Sequence, residues 1–236
     1  MVKLMRMRTK PWARPELAAC DYFVKEPQEN KGKWNEWFPK RQPLHLELGC
    51  GKGTFMAELA LQNPTVNYLA IDINSDVLGV ARRNIESAFT AANRKVENVA
   101  LMSFDIERIT LMMDANDTVE RIYINFCNPW PKGKHHKKRL TYTRQLENYK
   151  VFLADGGEIY FKTDDDDLYL ATLRYFAESG YEVLWQTDDL HAGQTPDIQA
   201  GEWKEFQIMT EHEKMFTEQG IPIKAIAARC QKAPAL

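Results

Sequence analysis

The chain has 236 residues, 44% of them hydrophobic, and a formal net charge of −2. That length and apolar content suit one well-packed α/β domain, and no apolar run approaches the ~18 residues of a membrane-spanning helix. The near-neutral total argues against a surface that coats nucleic acid throughout, while leaving room for local charged patches.

The basic start, Met1 to Lys10, lacks the apolar core of a secretory signal. The four cysteines, Cys20, Cys50, Cys127 and Cys230, are scattered, with neither a C-x-x-C pair nor zinc spacing. A reduced, cytoplasmic protein without membrane or metal partners is the expectation. The first forty residues carry Pro11, Pro15, Pro27 and Pro39 and the cations Lys3, Arg6, Arg8, Lys10 and Arg14. They are expected to wrap, as a basic extension, around a single domain spanning residues 41–236.

From Leu44 the chain alternates between the two kinds of element. Leu44–Leu48 reads as a buried strand and runs through Gly49, Gly51 and Gly53 into a helix over Thr54–Gln62. Asn67–Ile71 is a second strand, ending in Asp72. The helix after it, Ser75–Asn93, is capped by Asn74 or Ser75. Val99–Met102 and Arg121–Phe126 are further strands, with Asp105 just beyond the first of them. A helix over Thr141–Leu153 is expected to stop at Gly156-Gly157, before a strand at Glu158–Lys162 and a helix from about Asp166 to Ser179. Tyr181–Thr187 and Ile223–Arg229 complete the strands, and Asp188 to Glu202 reads as a long loop. The rhythm predicts a doubly wound, mostly parallel sheet with helices on both faces. Ligands of such sheets bind beyond the carboxyl ends of the strands, where Glu47, Asp72, Asp105, Asn128 and Asp164 all fall.

The glycine turn and the acid about twenty residues on suit a nucleoside-containing cofactor, the acid meeting ribose hydroxyls. A dinucleotide fingerprint would place its third glycine where this chain has Thr54. Glu47, two residues before the first glycine, would repel a pyrophosphate but attract the cationic amino-acid part of S-adenosylmethionine. A solvated Glu beside a plain Gly-rich turn is the bland alternative.

Asn125-Phe126-Cys127-Asn128-Pro129-Trp130-Pro131-Lys132 brings a polar side chain off a strand into a proline-stiffened turn. There an amide at 128 can meet a base edge while Trp130 packs or stacks. Lys132, Lys134, Lys137, Lys138 and Arg139 follow, with His135 and His136 between them, and Trp12 stands among the amino-terminal cations. Such clusters are often solvated loops, but beside a ribose-binding pair they point to nucleic-acid phosphates, with aromatics available to stack on bases.

These segments together resemble the bacterial tRNA (guanine-N7-)-methyltransferases. Arg6 to Ala13, Lys31 to Asn35, Glu47 with its glycines, Asn125 to Lys132, the basic run to Thr141, Phe161 to Asp164, and Thr210-Glu211-His212-Glu213 occur in that family's order. The resemblance covers nearly the whole chain. It implies a Rossmann-like class I methyltransferase fold, S-adenosylmethionine as cofactor, tRNA as partner, and methyl transfer to N7 of a variable-loop guanine. Carried over by position, Glu47, Gly49, Gly51, Gly53, Asp72, Asp105 and Asn128 would line the cofactor site, with Asn128 at the catalytic position. Lys132, Asp164, Thr210, Glu211, His212 and Glu213 would contact substrate, and Lys134, His135, His136, Lys137, Lys138 and Arg139 would hold RNA. Structural roles compete at three of these places. Asp105 can cap a following helix, Asp164 can belong to an acidic helix start, and Thr210-x-x-Glu213 has the form of a capping box. Both a monomer and a homodimer are compatible with the sequence.

Other readings stay open: methylation of an exocyclic amino group, suggested by Asn128-Pro129-Trp130; an RNA-binding protein that kept the fold without turnover; and, third, a dehydrogenase. Two departures from the family pattern stand out, Asp72 where it has Glu and Asn128 where it has Asp. The first keeps a carboxylate on a shorter stem. The second removes a charge that would favour the cationic methylguanine as it forms. Guanine N7 carries no proton, so positioning rather than a general base is what the reaction needs, and that is worth up to ~7–11 kcal/mol. Asn128→Asp is therefore expected to turn over at least as fast as wild type on the same tRNA, and a large loss in the variant would contradict the reading.

Overall fold

The computed structural model describes residues 9–192 and 203–232. In chain order the elements are α1 (Ala13–Ala18), β1 (Phe23–Val24), α2 (Trp34–Trp37), β2 (Leu44–Leu48), α3 (Thr54–Gln62), β3 (Asn67–Asp72), α4 (Ser75–Ala91), β4 (Val99–Ser103) and β5 (Val119–Asn125). They continue with α5 (Thr143–Lys150), β6 (Leu153–Thr163), α6 (Asp166–Glu178), β7 (Tyr181–Thr187), α7 (Glu211–Glu218) and β8 (Lys224–Cys230). The strands form one sheet in the order β1-β4-β3-β2-β5-β6-β8-β7. Pairing is parallel from β1 to β6, and β8 and β7 close the far edge antiparallel. The order of the parallel strands reverses between β2 and β5, and a crevice opens at such a switch point.

Every residue of β2 is buried, because both faces of the sheet are covered. Leu46, Ile71, Ile124 and Phe161 pack with Leu146 and Tyr149 of α5 and Phe176 of α6. On the other face Ala70, Leu101, Tyr123 and Tyr160 pack with Phe55 and Leu59 of α3 and Ile85 of α4. Asn74 caps α4 by accepting the Asp76 amide, as its position before the apolar run predicts. Among the described residues no helix is long and apolar enough to cross a membrane, and no group of three or more His, Cys, Asp or Glu is arranged to hold a metal ion.

The described part of the amino-terminal segment lies against the sheet and its helices. β1 pairs with β4 at the sheet edge. The Trp34 indole is buried and donates to the Met112 carbonyl at 2.8 Å. α1 lies on α4 where Gly79 lacks a side chain; a Cβ there would sit 2.5 Å from that of Ala13. Trp12, expected as a stacking surface for a base, is instead covered by the Arg83 guanidinium at 3.5 Å from its ring centre. That cation is held in turn by Glu16, which also pairs with Arg82. The tryptophan anchors a helix in a cation–π contact.

The expected helix over Thr141–Leu153 is shorter in the structure. It ends at Lys150, and β6 already begins at Leu153, paired with Val119. Gly156 and Gly157 do not stop a helix; they sit inside β6, where the register slips between Val119 and Arg121 and Gly156 takes φ +74°. Pairing across the sheet overrides the helical pattern of a segment that also reads as a strand. β5 stops at Asn125 because Phe126 turns to φ +50°.

Of the glycines after β2, Gly53 is held on two counts. Its φ is +71°, and an added Cβ would lie 2.8 Å from Ala81 Cβ and 3.1 Å from its Cα. Gly53→Ala should therefore cost ~1–2 kcal/mol for the left-handed backbone and a further ~1–3 kcal/mol for crowding. Urea unfolding at neutral pH measures the sum, and an unchanged midpoint would contradict it.

Candidate active site

The crevice at the carboxyl ends of β2, β3, β4 and β5 is a cleft of about 470 Å³. Its lining includes Glu47, Gly49, Gly51, Asp72, Asp105, Asn128, Lys138 and Thr210 to His212 of the expected site residues. It also takes in Ile73, Val77, Phe104 and Ile106, an apolar wall that the motifs did not single out. Ile73 is 68% exposed although it directly follows a buried strand. A large apolar side chain left open at a cleft suits a flat apolar ligand.

The glycine turn is closed upon itself. The amides of Gly49 and Cys50 donate to the Ile71 carbonyl at 2.9 and 2.8 Å, and that of Gly53 donates to the Cys50 carbonyl at 2.9 Å. The Gly51 amide donates to Asp72 Oδ2 at 3.0 Å, while Asp72 Oδ1 accepts the Asn74 amide at 2.9 Å. The amides of residues 49, 50, 51 and 53 are thus engaged within the protein, and a carboxyl beneath the turn would repel a pyrophosphate, which weighs against the dehydrogenase reading. Each Asp72 oxygen still has a lone pair for a hydroxyl. Burial holds the Asp72 carboxyl above its ordinary range, against the lowering effect of these amides. A Cβ on Gly49 or Gly51 would meet nothing within 4 Å, so the turn leaves open space on the cleft side.

Glu47 lies on the cleft floor. Its Oε1 accepts from Asn125 Nδ2 at 3.4 Å, and its buried Oε2 has no partner among the described residues. Burial pushes this carboxyl up to about 8, with the Asn125 hydrogen bond and the Lys162 ammonium opposing. A buried carboxyl with one free oxygen beside an open glycine turn is suited to a cationic ligand group, and the residues fit the amino-acid end of S-adenosylmethionine.

The turn after β5 faces this floor. Phe126 and Trp130 both hold left-handed backbone, at φ +50° and +45°. Asn128 Oδ1 accepts the Trp130 amide at 3.0 Å, which orients the side-chain amide. The Trp130 ring lies 5.8 Å from that of His135 and 5.0 Å from Lys138 Nζ. The thiol of Cys127 beside it is pushed by burial to about 12 and is no nucleophile. Opposite, the Phe126 ring stacks on His212 at 6.3 Å. Lys52 reaches from the glycine turn to Glu211 Oε2 at 2.5 Å.

Two expected contacts prove internal. Arg139 is 1% exposed; its Nε donates to the Pro129 carbonyl at 2.7 Å and its Nη2 to Asp167 Oδ2 at 2.6 Å. It braces the turn from behind and offers nothing to an RNA backbone. Glu213 is fully buried and closes the capping box of α7 with Thr210, so its carboxylate is used inside the protein and is not part of the cleft lining. Lys132 is exposed at the start of the basic loop, outside the cleft, with Lys134 and Lys137 also exposed and His135 and His136 half-buried. Asp164 is half-buried beyond the lining, close enough to His212 for their charges to interact. Asp105 caps the 3-10 turn Ile106–Leu111 through the Glu107 amide, as its competing structural role required, and still lines the cleft.

Lys162 lies within the segment Phe161 to Asp164 but is not among the site residues that the sequence points to. It is buried on β6, where its Nζ donates to Glu213 Oε2 at 2.5 Å and to the Ile208 carbonyl at 2.8 Å. A lysine following Ile-Tyr-Phe in a buried parallel strand was the available signal.

Because the folded Glu47 carboxyl sits above its ordinary 4.5, its contribution to stability is complete below about pH 4.5 and lost as pH rises through about 8. Glu47→Gln keeps the shape without the titration. Between pH 5 and pH 9 the wild type should lose on the order of 4 kcal/mol relative to this variant. Urea-unfolding free energies at the two pH values test this, and a parallel pH dependence of both proteins would contradict it.

Residues 41–226 match a family model described as "Putative methyltransferase". A tRNA (guanine-N(7)-)-methyltransferase of Clostridium beijerinckii is 57% identical over 95% of this chain and 98% of its own. One of Ruminiclostridium cellulolyticum is 51% identical over 95% and 92%. Among solved structures, the 16S rRNA methyltransferase KamB aligns over 96% of both chains with a TM-score of 0.56 at 12% identity. That likeness speaks to the fold alone. With a sequence relationship of this closeness across nearly its whole length, the chain belongs to the tRNA (guanine-N(7)-)-methyltransferase family.

Proposed function

We propose that the protein transfers a methyl group from S-adenosylmethionine to N7 of a guanine in the variable loop of tRNA, acting in the cytoplasm. The observation that carries the reading is the unpartnered, buried Glu47 oxygen beside a glycine turn whose own amides are spent. When bound, S-adenosylmethionine supplies a sulfonium-activated methyl group. Glu47 would hold its amino group and Asp72 its ribose hydroxyls. Ile73, Val77, Phe104 and Ile106 would flank the adenine, with Asp105 at its rim.

What remains for the protein is to place N7. The nitrogen attacks with its own lone pair, so no proton has to be removed first. Asn128 and Trp130 form one wall of the reaction space, and Thr210, Glu211 and His212 the other. Asn128 is held by the Trp130 amide, so the base meets a side chain whose rotamer is already set. N7 lies in the deep groove of A-form RNA, beyond the reach of side chains, so the target must stand in a loop or a distorted region.

Lys132, Lys134, Lys137 and Lys138 would grip the phosphates beside it. Lys134→Ala and Lys138→Ala should each lower the slope of log affinity against log salt by ~1. Filter binding of tRNA at several salt concentrations measures it, and unchanged slopes would remove this loop from the interface.

Transfer of label from tritiated methyl donor to bulk tRNA, followed by mass spectrometry of the digested RNA, tests the activity itself. Labelled 7-methylguanosine is the expected product. A methyl on an exocyclic amine would favour the alternative that Asn128-Pro129-Trp130 suggests, and absence of label would favour an RNA-binding role.

A further inference from the structure

We propose that Lys162 is a positioning residue for the methyl donor: its buried ammonium is the counter-charge that lets Glu47 ionise as the donor's cationic amino group arrives. The inference rests on the proposed cofactor. Lys162 is 1% exposed, and its partner Glu213 is fully buried. Glu213 is committed elsewhere as well. Its Oε2 accepts the Thr210 amide at 3.2 Å, and its Oε1 lies 3.0 Å from His191 Nε2. On β6 Lys162 stands in register with Asn125 of β5, the residue that holds Glu47 Oε1.

The groups that bear on Glu47 come from each neighbouring element: Asn125 from β5, Lys162 from β6, Asp72 from β3 and, on the glycine turn, the Cys50 thiol, which burial holds well above its ordinary range and so neutral. Lys162 is the cation among them, and it also feels Glu58 of α3. Burial lowers the ordinary affinity of the Lys162 amine for its proton, while Glu213 and Glu47 oppose that lowering.

The charges balance in two states. In the empty cleft, Lys162 and Glu213 neutralise one another and Glu47 keeps its proton, as burial favours. With the donor's ammonium against the free Glu47 oxygen, the carboxyl releases its proton to solvent. Two cations then face two anions. No state leaves an uncompensated buried charge, the arrangement that costs most. Lys162 does not touch the reacting atoms; it acts through Glu47.

The test uses S-adenosylhomocysteine, which keeps the amino-acid end without the reactive methyl group, and calorimetric titration of the intact protein from pH 6 to pH 9. In wild type the affinity should rise with pH towards about 8, and binding at pH 7 should release close to one proton, read from buffers of differing ionisation heat. Glu213→Gln keeps the amide oxygen for Lys162 and the capping box but removes an anion, so the rise should move to lower pH. The double variant Lys162→Met/Glu213→Gln removes both charges together and should move it to higher pH, with at least a tenfold weaker affinity at pH 7. Shifts in opposite directions support the inference; shifts in one direction, or an unshifted profile, overturn it. If the double variant fails to fold by circular dichroism, the direction of the Glu213→Gln shift decides alone. No binding by folded wild type at any pH would overturn the cofactor reading itself.

Discussion

An ammonium group held out of water between a strand and the first turn of a helix organises this cleft. Lys162 ties β6 to α7 through Glu213, and the same carboxylate caps the helix that carries Thr210, Glu211 and His212 to the cleft wall. The pair continues a polar band across one face of the sheet. Register places His45 opposite Arg121 and Arg121 opposite Glu158, and further along the strands Glu47 opposite Tyr123 and Asn125 opposite Lys162. Arg121 pairs with Glu158 and Glu205, and burial drives the His45 imidazole down to about 3, keeping it neutral beside the Tyr123 hydroxyl. Buried polar groups of this kind raise the cost of any other packing. They hold the covering segments in one place over the sheet.

The glycine turn shows how little freedom such a site leaves. Asp72 is both a candidate ribose ligand and the clamp that joins Gly51 to Asn74. The backbone on the cofactor side is therefore set before any ligand enters. The carboxyl beneath the turn, more than the glycine spacing, is what suits the cleft to a cationic ligand group.

Much of this was legible in the residues. The alternation of apolar strands and periodic helices gave the doubly wound order, and α3 and β7 begin and end where the pattern puts them. Glu47, Asp72 and Asp105 stood out because acids at strand ends have no packing reason to be there. The bulge in β6 was not legible: Gly156-Gly157 looks like punctuation, and only pairing with β5 makes it part of a strand. Nor were the burial of Arg139 or the Lys162 pair. Whether a cation meets solvent, RNA or a carboxylate is decided by residues far along the chain, Asp167 and Glu213 in these cases. Trp12 is the same lesson for an aromatic, its face taken by Arg83.

The left-handed backbone at Phe126 and Trp130 has a further consequence. Non-glycine residues in that region each carry ~1–3 kcal/mol of strain, and here they bracket Asn128 on both sides. The strain persists because Arg139 clasps the Pro129 carbonyl from beneath and Phe126 lies on His212. The lip of the cleft is thus held in a strained shape by its surroundings. A ligand entering it meets a surface already tensioned, with little left to rearrange.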